Sequence, residues 1–326
     1  MPKKVLVTDH VFEDLETERA LLEPLGAEVI LAPDPSGATL VEEARDAEAL
    51  LVCYAKVTGK VIAAAADGGC RVISRYGIGY DNVDVEAATR HGLLVTYVPD
   101  YCLDEVADHT LALFLSLARA VFPAATSVRA GDWKVPQGQV HRLQGRRLLV
   151  VGMGGVGRRV AARALAFGLE VVGYDPFLEE WDIPEVERAD DLDAALGEVD
   201  AVSLHTPLTP ESHHLINERT IACMRRSPIV LNTARGGLVD TEALLRGLEE
   251  GRVGGAALDV TEEEPLPRDH PLREHPRVVI TPHMAFYSVE AQRELQRRAA
   301  EEVVRALEGR PPDRPVNPEV LESSRS

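Results

Sequence analysis

The feature that most constrains this chain is a cluster of glycines at a strand-to-helix junction. Gly152-Met153-Gly154-Gly155-Val156-Gly157 directly follows the apolar segment 147–151 and directly precedes 158–167, which reads as a helix. In the spacing G-x-G-x-x-G, the first glycine makes a tight turn, the second lets the backbone approach a pyrophosphate, and the third packs helix against strand. The helix start then offers N–H groups and a partial positive charge to the phosphates. A lone glycine spacing is weak evidence, but here the flanking strand and helix are those that the motif requires. The next strand ends in Asp175, 18 positions after Gly157. An acid there accepts the ribose hydroxyls and repels a 2′-phosphate, which selects NAD over NADP. Taken alone, Asp175 reads equally as a turn residue before Pro176.

Short β-branched runs alternate with helix-period segments along almost the whole chain. One series of strands is expected at 5–8, 28–31, 49–53, 72–75 and 94–98, and a second at 147–151, 170–174, 201–204, 229–233, 254–258 and 278–281. This alternation predicts two α/β units, each a parallel sheet with helices on both faces. Between them, 103–130 reads as one long connecting helix, with apolar positions at Leu111, Phe114, Leu115, Ala118 and Val121. A last helix over 288–307 stops at Gly309, with Pro311 and Pro312 beyond it, and the remaining tail is expected to be an arm or frayed end.

Composition limits the partners. The 326 residues carry 53 Asp and Glu against 35 Lys and Arg, a net charge of −18 that counts against nucleic acid or an anionic bilayer. A chain of this length makes about two domains and buries about 75% of its unfolded surface without a disulfide or metal staple. Its four cysteines (Cys53, Cys70, Cys102 and Cys223) show no C-x-x-C, so buried thiols are expected and no metal site. The strongly apolar stretch between Asp108 and Arg119 is about half of the roughly 20 residues that a membrane span requires. The apolar run near the N-terminus, Val5-Leu6-Val7, is too short for a signal peptide, so a cytoplasmic location is expected.

Ionisable residues recur where ligands bind open α/β sheets, at strand ends. They lie in Asn232-Thr233-Ala234-Arg235, in Asp259 followed by Glu262-Glu263-Glu264-Pro265, and in Thr281-Pro282-His283. A guanidinium can hold a substrate carboxylate in a fork and polarise the adjacent carbonyl. An imidazolium can protonate that oxygen as hydride reaches carbon, worth about 10² to 10⁴ in rate. A carboxylate paired with the imidazole orients it and favours its charged form. Each residue also has a plainer reading: Arg235 as a solvated loop residue, the acids as a solvated face, His283 as a hydrogen-bonded core histidine. Physical reasoning alone does not choose among Glu262, Glu263 and Glu264.

From about Val72 to about Gly309, these stretches in this order resemble the D-isomer-specific 2-hydroxyacid dehydrogenase family. The resemblance implies catalytic roles for Arg235, Glu264 (five residues after Asp259 and just before proline) and His283. It implies a cofactor domain, 101–286, inserted into a discontinuous substrate domain, 1–100 with 287–326, with hinges near 99–103 and 286–290 and substrate in the closing cleft. Arg75-Tyr76-Gly77-Ile78-Gly79-Tyr80-Asp81-Asn82 is similar to the family loop whose backbone holds the substrate carboxylate, which implicates Ile78 and Gly79, and Arg75 matches a substrate-contacting arginine; the plain reading of Arg75 is a surface ion pair. Thr110 matches a cofactor-phosphate contact. His205-Thr206-Pro207 and Thr233-Ala234 match segments beside the nicotinamide, and Asp259 matches the residue that meets the carboxamide.

The likeness is closest to the C-terminal-binding-protein-like subgroup, in 282–288 and in His213-His214-Leu215-Ile216-Asn217, except that Phe286 stands where the subgroup has tryptophan. The implied activity is NAD-dependent interconversion of a 2-keto acid and a D-2-hydroxy acid, with glyoxylate or hydroxypyruvate favoured. The alternatives are an NAD-binding corepressor-like scaffold and a phosphite dehydrogenase; formate chemistry is disfavoured because formate enzymes of the family carry glutamine where this chain has Glu264. The short tail after the last helix leads to the expectation that this is not a long phosphoglycerate dehydrogenase with a regulatory domain, while a short form stays open. A homodimer through the cofactor domains is implied. The sequence assigns His213, His214, Trp133, Trp181 and the His205 side chain to packing or hydrogen bonding.

Overall fold

The computed structural model describes residues 3–135 and 140–323. The chain divides into two compact units, Met1–Tyr101 with Ser288–Ser326, and Cys102–Tyr287.

The first unit holds the strands β1 (Lys3–Val7), β2 (Ala27–Leu31), β3 (Ala47–Val52), β4 (Val72–Arg75) and β5 (Leu94–Thr96). They form a parallel sheet in the order β2-β1-β3-β4-β5. Successive side chains on a strand face opposite ways, so Val5 and Val7 enter one core while Leu6 enters the other. The helix Val289–Leu307 covers the Val5 face through Leu295, Ala299 and Val303, which recur at four-residue spacing. Its start is capped by Ser288, whose hydroxyl accepts from Ala291 N–H. The tail is docked rather than frayed as far as Leu321: Val316 N–H donates to Val95 O, and buried Asn317 accepts from Val95 N–H and donates to Leu93 O. An edge strand presents unpaired backbone groups, and here β5 has the tail to satisfy them.

The second unit holds β6 (Arg147–Val151), β7 (Glu170–Tyr174), β8 (Glu187–Arg188), β9 (Ala201–Leu204), β10 (Ile229–Asn232), β11 (Gly255–Leu258) and β12 (Val278–Ile280). The order is β12-β11-β10-β9-β6-β7-β8, all parallel. Strand order reverses between β6 and β9, which makes the carboxyl end of β6, where the glycines lie, a topological switch point. The central strands β9 and β11 are buried throughout, as befits a sheet covered on both faces. The two-residue β8 was not expected, because an exposed Glu-Arg pair carries no strand signal.

The expected single helix over 103–130 is two helices, Leu103–Ala118 and Val121–Arg129, bent by 64°. Pro123 explains the break: it has no N–H to give and its ring would clash with the carbonyl of Arg119 four residues back. Among the described residues no single helix is long and apolar enough to cross a membrane. Cys53, Cys70 and Cys102 are buried thiols, while Cys223 is half-buried. Burial pushes the Cys53 and Cys70 thiols up to about 12.

Candidate active site

The glycine turn has the geometry that a dinucleotide needs. Gly152 sits at φ 90°, and a β-carbon there would lie 2.6 Å from His205 O, so no other residue fits. A β-carbon on Gly157 would lie 1.9 Å from Gly152 O, which makes the close packing of helix on strand depend on glycine. Gly154 differs: a β-carbon there would meet nothing within 4 Å, so its backbone faces open space. The helix Gly155–Ala166 begins at Gly154 with no side-chain cap, so its first N–H groups point outward to that space. Val156 is half-buried in the first turn of that helix. The Asp175 carboxylate spans the turn, accepting Met153 N–H at 2.9 Å and Phe177 N–H at 3.0 Å. Each oxygen keeps acceptor capacity for a ribose hydroxyl. These residues fit a bound NAD.

At the ends of β11 and β12 the structure distinguishes the three glutamates. Glu264 Oε2 lies 2.7 Å from His283 Nδ1, and Glu264 Oε1 accepts Thr261 N–H at 3.1 Å. Glu262 instead pairs with His214, and Glu263 is exposed. Burial pushes the Glu264 carboxyl up, but the hydrogen bond and charge of His283, the Thr261 N–H and the charge of Arg235 together hold it below the ordinary range. Arg235 therefore lies within electrostatic reach of the pair; its Nη1 donates to Ala234 O at 2.8 Å. His283 has a φ of 51° and presents the edge of its ring to Phe286 at 6.5 Å between centroids.

Asp259 sits beneath this pair at 2% exposure. It accepts from the Thr281 hydroxyl at 2.5 Å, from Met284 N–H at 2.9 Å and from Ala285 N–H at 2.8 Å. The Asp259 carbonyl accepts His283 N–H at 2.8 Å. Asp259 thus fixes the turn that aims His283, and His109 supports it from the helix Leu103–Ala118, 3.0 Å from the Thr281 hydroxyl. Thr110 is fully buried, bonding Val106 O and the Thr233 hydroxyl, so its oxygen is engaged inside the unit. Ala234 is half-buried between Thr233 and Arg235. His205, after β9, bonds the Ser203 hydroxyl at 2.7 Å; burial pushes its pKa down to about 3. Thr206 and Pro207 continue from it toward the surface.

Residues 111–285, more than half the chain, match the family description "D-isomer specific 2-hydroxyacid dehydrogenase, NAD binding domain". The D-3-phosphoglycerate dehydrogenase of Methanocaldococcus jannaschii is 40% identical over 318 residues, which are 96% of this chain and 59% of that one. The glyoxylate reductase of Thermofilum pendens is 39% identical over 296 residues, covering 88% of this chain and 86% of that relative. The crystal structure of a Thermus thermophilus protein matches with a TM-score of 0.87 and 40% identity, over 96% of this chain and 99% of that one. The chain belongs to the D-isomer-specific 2-hydroxyacid dehydrogenase family. It spans about three-fifths of the length of the phosphoglycerate dehydrogenase it matches.

As a member of this family of NAD-dependent oxidoreductases, the chain carries the NAD-binding domain in its second unit. The first unit ends its own strands on an organised platform. Arg75 is 9% exposed, and its Nη1 donates to Tyr76 O. Gly77, at φ 137°, holds a backbone conformation that favours glycine, and a β-carbon there would displace the Arg75 guanidinium. Ile78 and Gly79 follow as a half-buried loop.

Sequence reasoning gave no role to two residues here. Asp9, at the end of β1, accepts the N–H groups of Cys53 at 3.2 Å, Tyr54 at 2.7 Å and Ala55 at 3.1 Å. Asn82 donates to Cys53 O at 3.1 Å and Ala55 O at 2.9 Å. Together they clamp the loop after β3 at this sheet's switch point, between β1 and β3. An acid directly after the first strand was the only available signal.

Proposed function

We propose that this chain interconverts a 2-keto acid and a D-2-hydroxy acid with NAD, with glyoxylate and hydroxypyruvate the favoured substrates. The observation that carries this reading is the 2.7 Å contact between His283 Nδ1 and Glu264 Oε2, under the charge of Arg235. With Nδ1 committed to Glu264, Nε2 is the nitrogen that exchanges a proton with the substrate oxygen. Glu264 holds the ring and stabilises its positive charge. Arg235 holds the substrate carboxylate and polarises the carbonyl. Gly152, Gly154, Gly155, Val156, Gly157 and Asp175 would hold NADH, which would supply hydride to the keto carbon.

Thr110, His205, Thr206, Pro207, Thr233, Ala234 and Asp259 complete the cofactor side of this reading. In the first unit we assign anion binding to Arg75 and to the backbone of Ile78 and Gly79. The relative named glyoxylate reductase supports the substrate class. The scaffold reading is an outcome of the test below. We further propose a cytoplasmic homodimer paired through the cofactor units. Support comes from residues 121–135, which expose Val121, Phe122, Val128, Trp133 and Val135. Such apolar exposure marks association surfaces.

A panel of 2-keto acids assayed with NADH and NADPH tests the activity. Turnover of at least one small 2-keto acid is expected, with His283→Ala lowering it about 10² to 10⁴-fold while NADH binding persists. If every keto acid fails while NADH still binds, the enzyme reading falls and the scaffold takes its place.

A further inference from the structure

Two histidines and a carboxylate outside the proposed chemistry converge in the second unit. Consecutive residues usually point their side chains apart, but His213 and His214 stack with ring centroids 3.9 Å apart and planes 27° from parallel. The cause is His214 at φ 51°, in the left-handed region that a residue with a β-carbon enters at a cost. Hydrogen bonds hold that backbone on both sides: His214 N–H donates to Gly237 O at 2.8 Å, and His214 O accepts from Asn217 Nδ2 at 2.7 Å.

Glu262 reaches the same point from the segment after β11. Its Oε1 is 2.6 Å from His214 Nε2, and its Oε2 is anchored by Thr241 N–H at 2.7 Å. One donor atom from each of His213, His214 and Glu262 lies within 4.8 Å of the others.

We propose that His213, His214 and Glu262 form a site for one divalent cation of the Zn²⁺ class, with water completing a four-coordinate shell. Two imidazoles and one carboxylate suit Zn²⁺, Co²⁺ or Ni²⁺, whereas Ca²⁺ and Mg²⁺ call for six or more oxygens. Ligands at about 2.0–2.1 Å from a tetrahedral ion stand about 3.3 Å from one another. The short His214–Glu262 contact opens to that spacing when the ion replaces the bridging proton, and His213, an exposed side chain, swings in to close the third bond. Asp240 Oδ2 lies 4.0 Å from His214 Nδ1, beyond hydrogen-bond distance but on the side where a carboxylate commonly backs a metal-bound imidazole.

A plain ion pair accounts for His214 and Glu262 but gives no role to His213, which the left-handed backbone brings over its neighbour. The ion ties down the segment from which Glu264, two residues after Glu262, meets His283.

The test is calorimetric titration of the metal-stripped full chain with Zn²⁺, alongside Co²⁺ absorption as a report of coordination. One ion per chain is expected, with a Kd below about 100 μM. His213→Ala, at an exposed position, and Glu262→Gln should each weaken binding at least about tenfold and abolish the tetrahedral Co²⁺ band. Absence of saturable binding in that range overturns the proposal, as does wild-type affinity in either variant.

Discussion

At the scale of single residues, the histidine–glutamate pair carries the chemistry and Asp175 the cofactor choice. Glu264→Gln preserves the shape of the pair and removes its charge. Turnover should fall about 10²-fold or more while NADH affinity holds, read from steady-state kinetics and NADH fluorescence. An unchanged kcat would show that the carboxylate does not support proton transfer. At Asp175, replacement by Asn leaves an amide oxygen for only one of the two backbone N–H groups that the carboxylate accepts, and removes the charge that repels a 2′-phosphate. The preference for NADH over NADPH should shrink by about tenfold, about 1.4 kcal/mol in the ratio of kcat/KM values. Physical reasoning on the sequence named the residue types of this site but did not choose among the three glutamates, whereas the family resemblance singled out Glu264 as the partner of His283. Three successive acids look alike on paper, and only the path of the loop after β11 turns Glu264 to His283 and Glu262 to His214.

At the scale of elements, the turn bearing His283 depends on one buried acid. Asp259 is 2% exposed and accepts one side-chain and two main-chain hydrogen bonds from Thr281, Met284 and Ala285. Asp259→Asn removes the charge and turns half of the acceptor capacity into donors facing donors. A loss of about 2–4 kcal/mol is expected in urea unfolding, with faster amide exchange over 281–285. Exchange that matches wild type would show that the turn holds itself. Most elements were legible, because β-branched runs alternating with helix-period segments leave few architectures open. The helix break at Arg119 and Ala120 was missed although Pro123 announces it, because an apolar periodicity continues through the bend. The docked tail was not legible at all. Asn317 carries no local signal for its partner β5, from which it is separated by 222 positions at Val95.

At the scale of the whole molecule, the two sheets follow from the alternation, and each unit carries a titratable group that desolvation shifts, buried Glu18 upward and half-buried His205 downward. In the first unit Glu18 is fully buried, bonded by Tyr76 OH at 2.8 Å and by Gln296 Nε2 at 3.1 Å. Burial raises its carboxyl pKa, and the bonds from Tyr76 and Gln296 only partly offset this. The folded unit therefore binds more protons than the unfolded chain just above the ordinary glutamate range, and its stability falls as pH rises through that window. In the second unit burial depresses His205 to about 3 against an ordinary value of 6.5. Here the unfolded chain binds the extra proton, so the contribution is intact above pH 6.5 and is lost as pH falls toward about 3. Acid should therefore weaken the NAD-binding unit first. Differential scanning calorimetry from about pH 7 to about pH 4.5 should resolve an earlier transition that NADH raises, since a ligand stabilises the fold that binds it. His205→Gln should flatten the fall of that transition with acid while leaving the other unchanged. Equal acid sensitivity in the variant would mean that His205 takes up its proton without unfolding the unit.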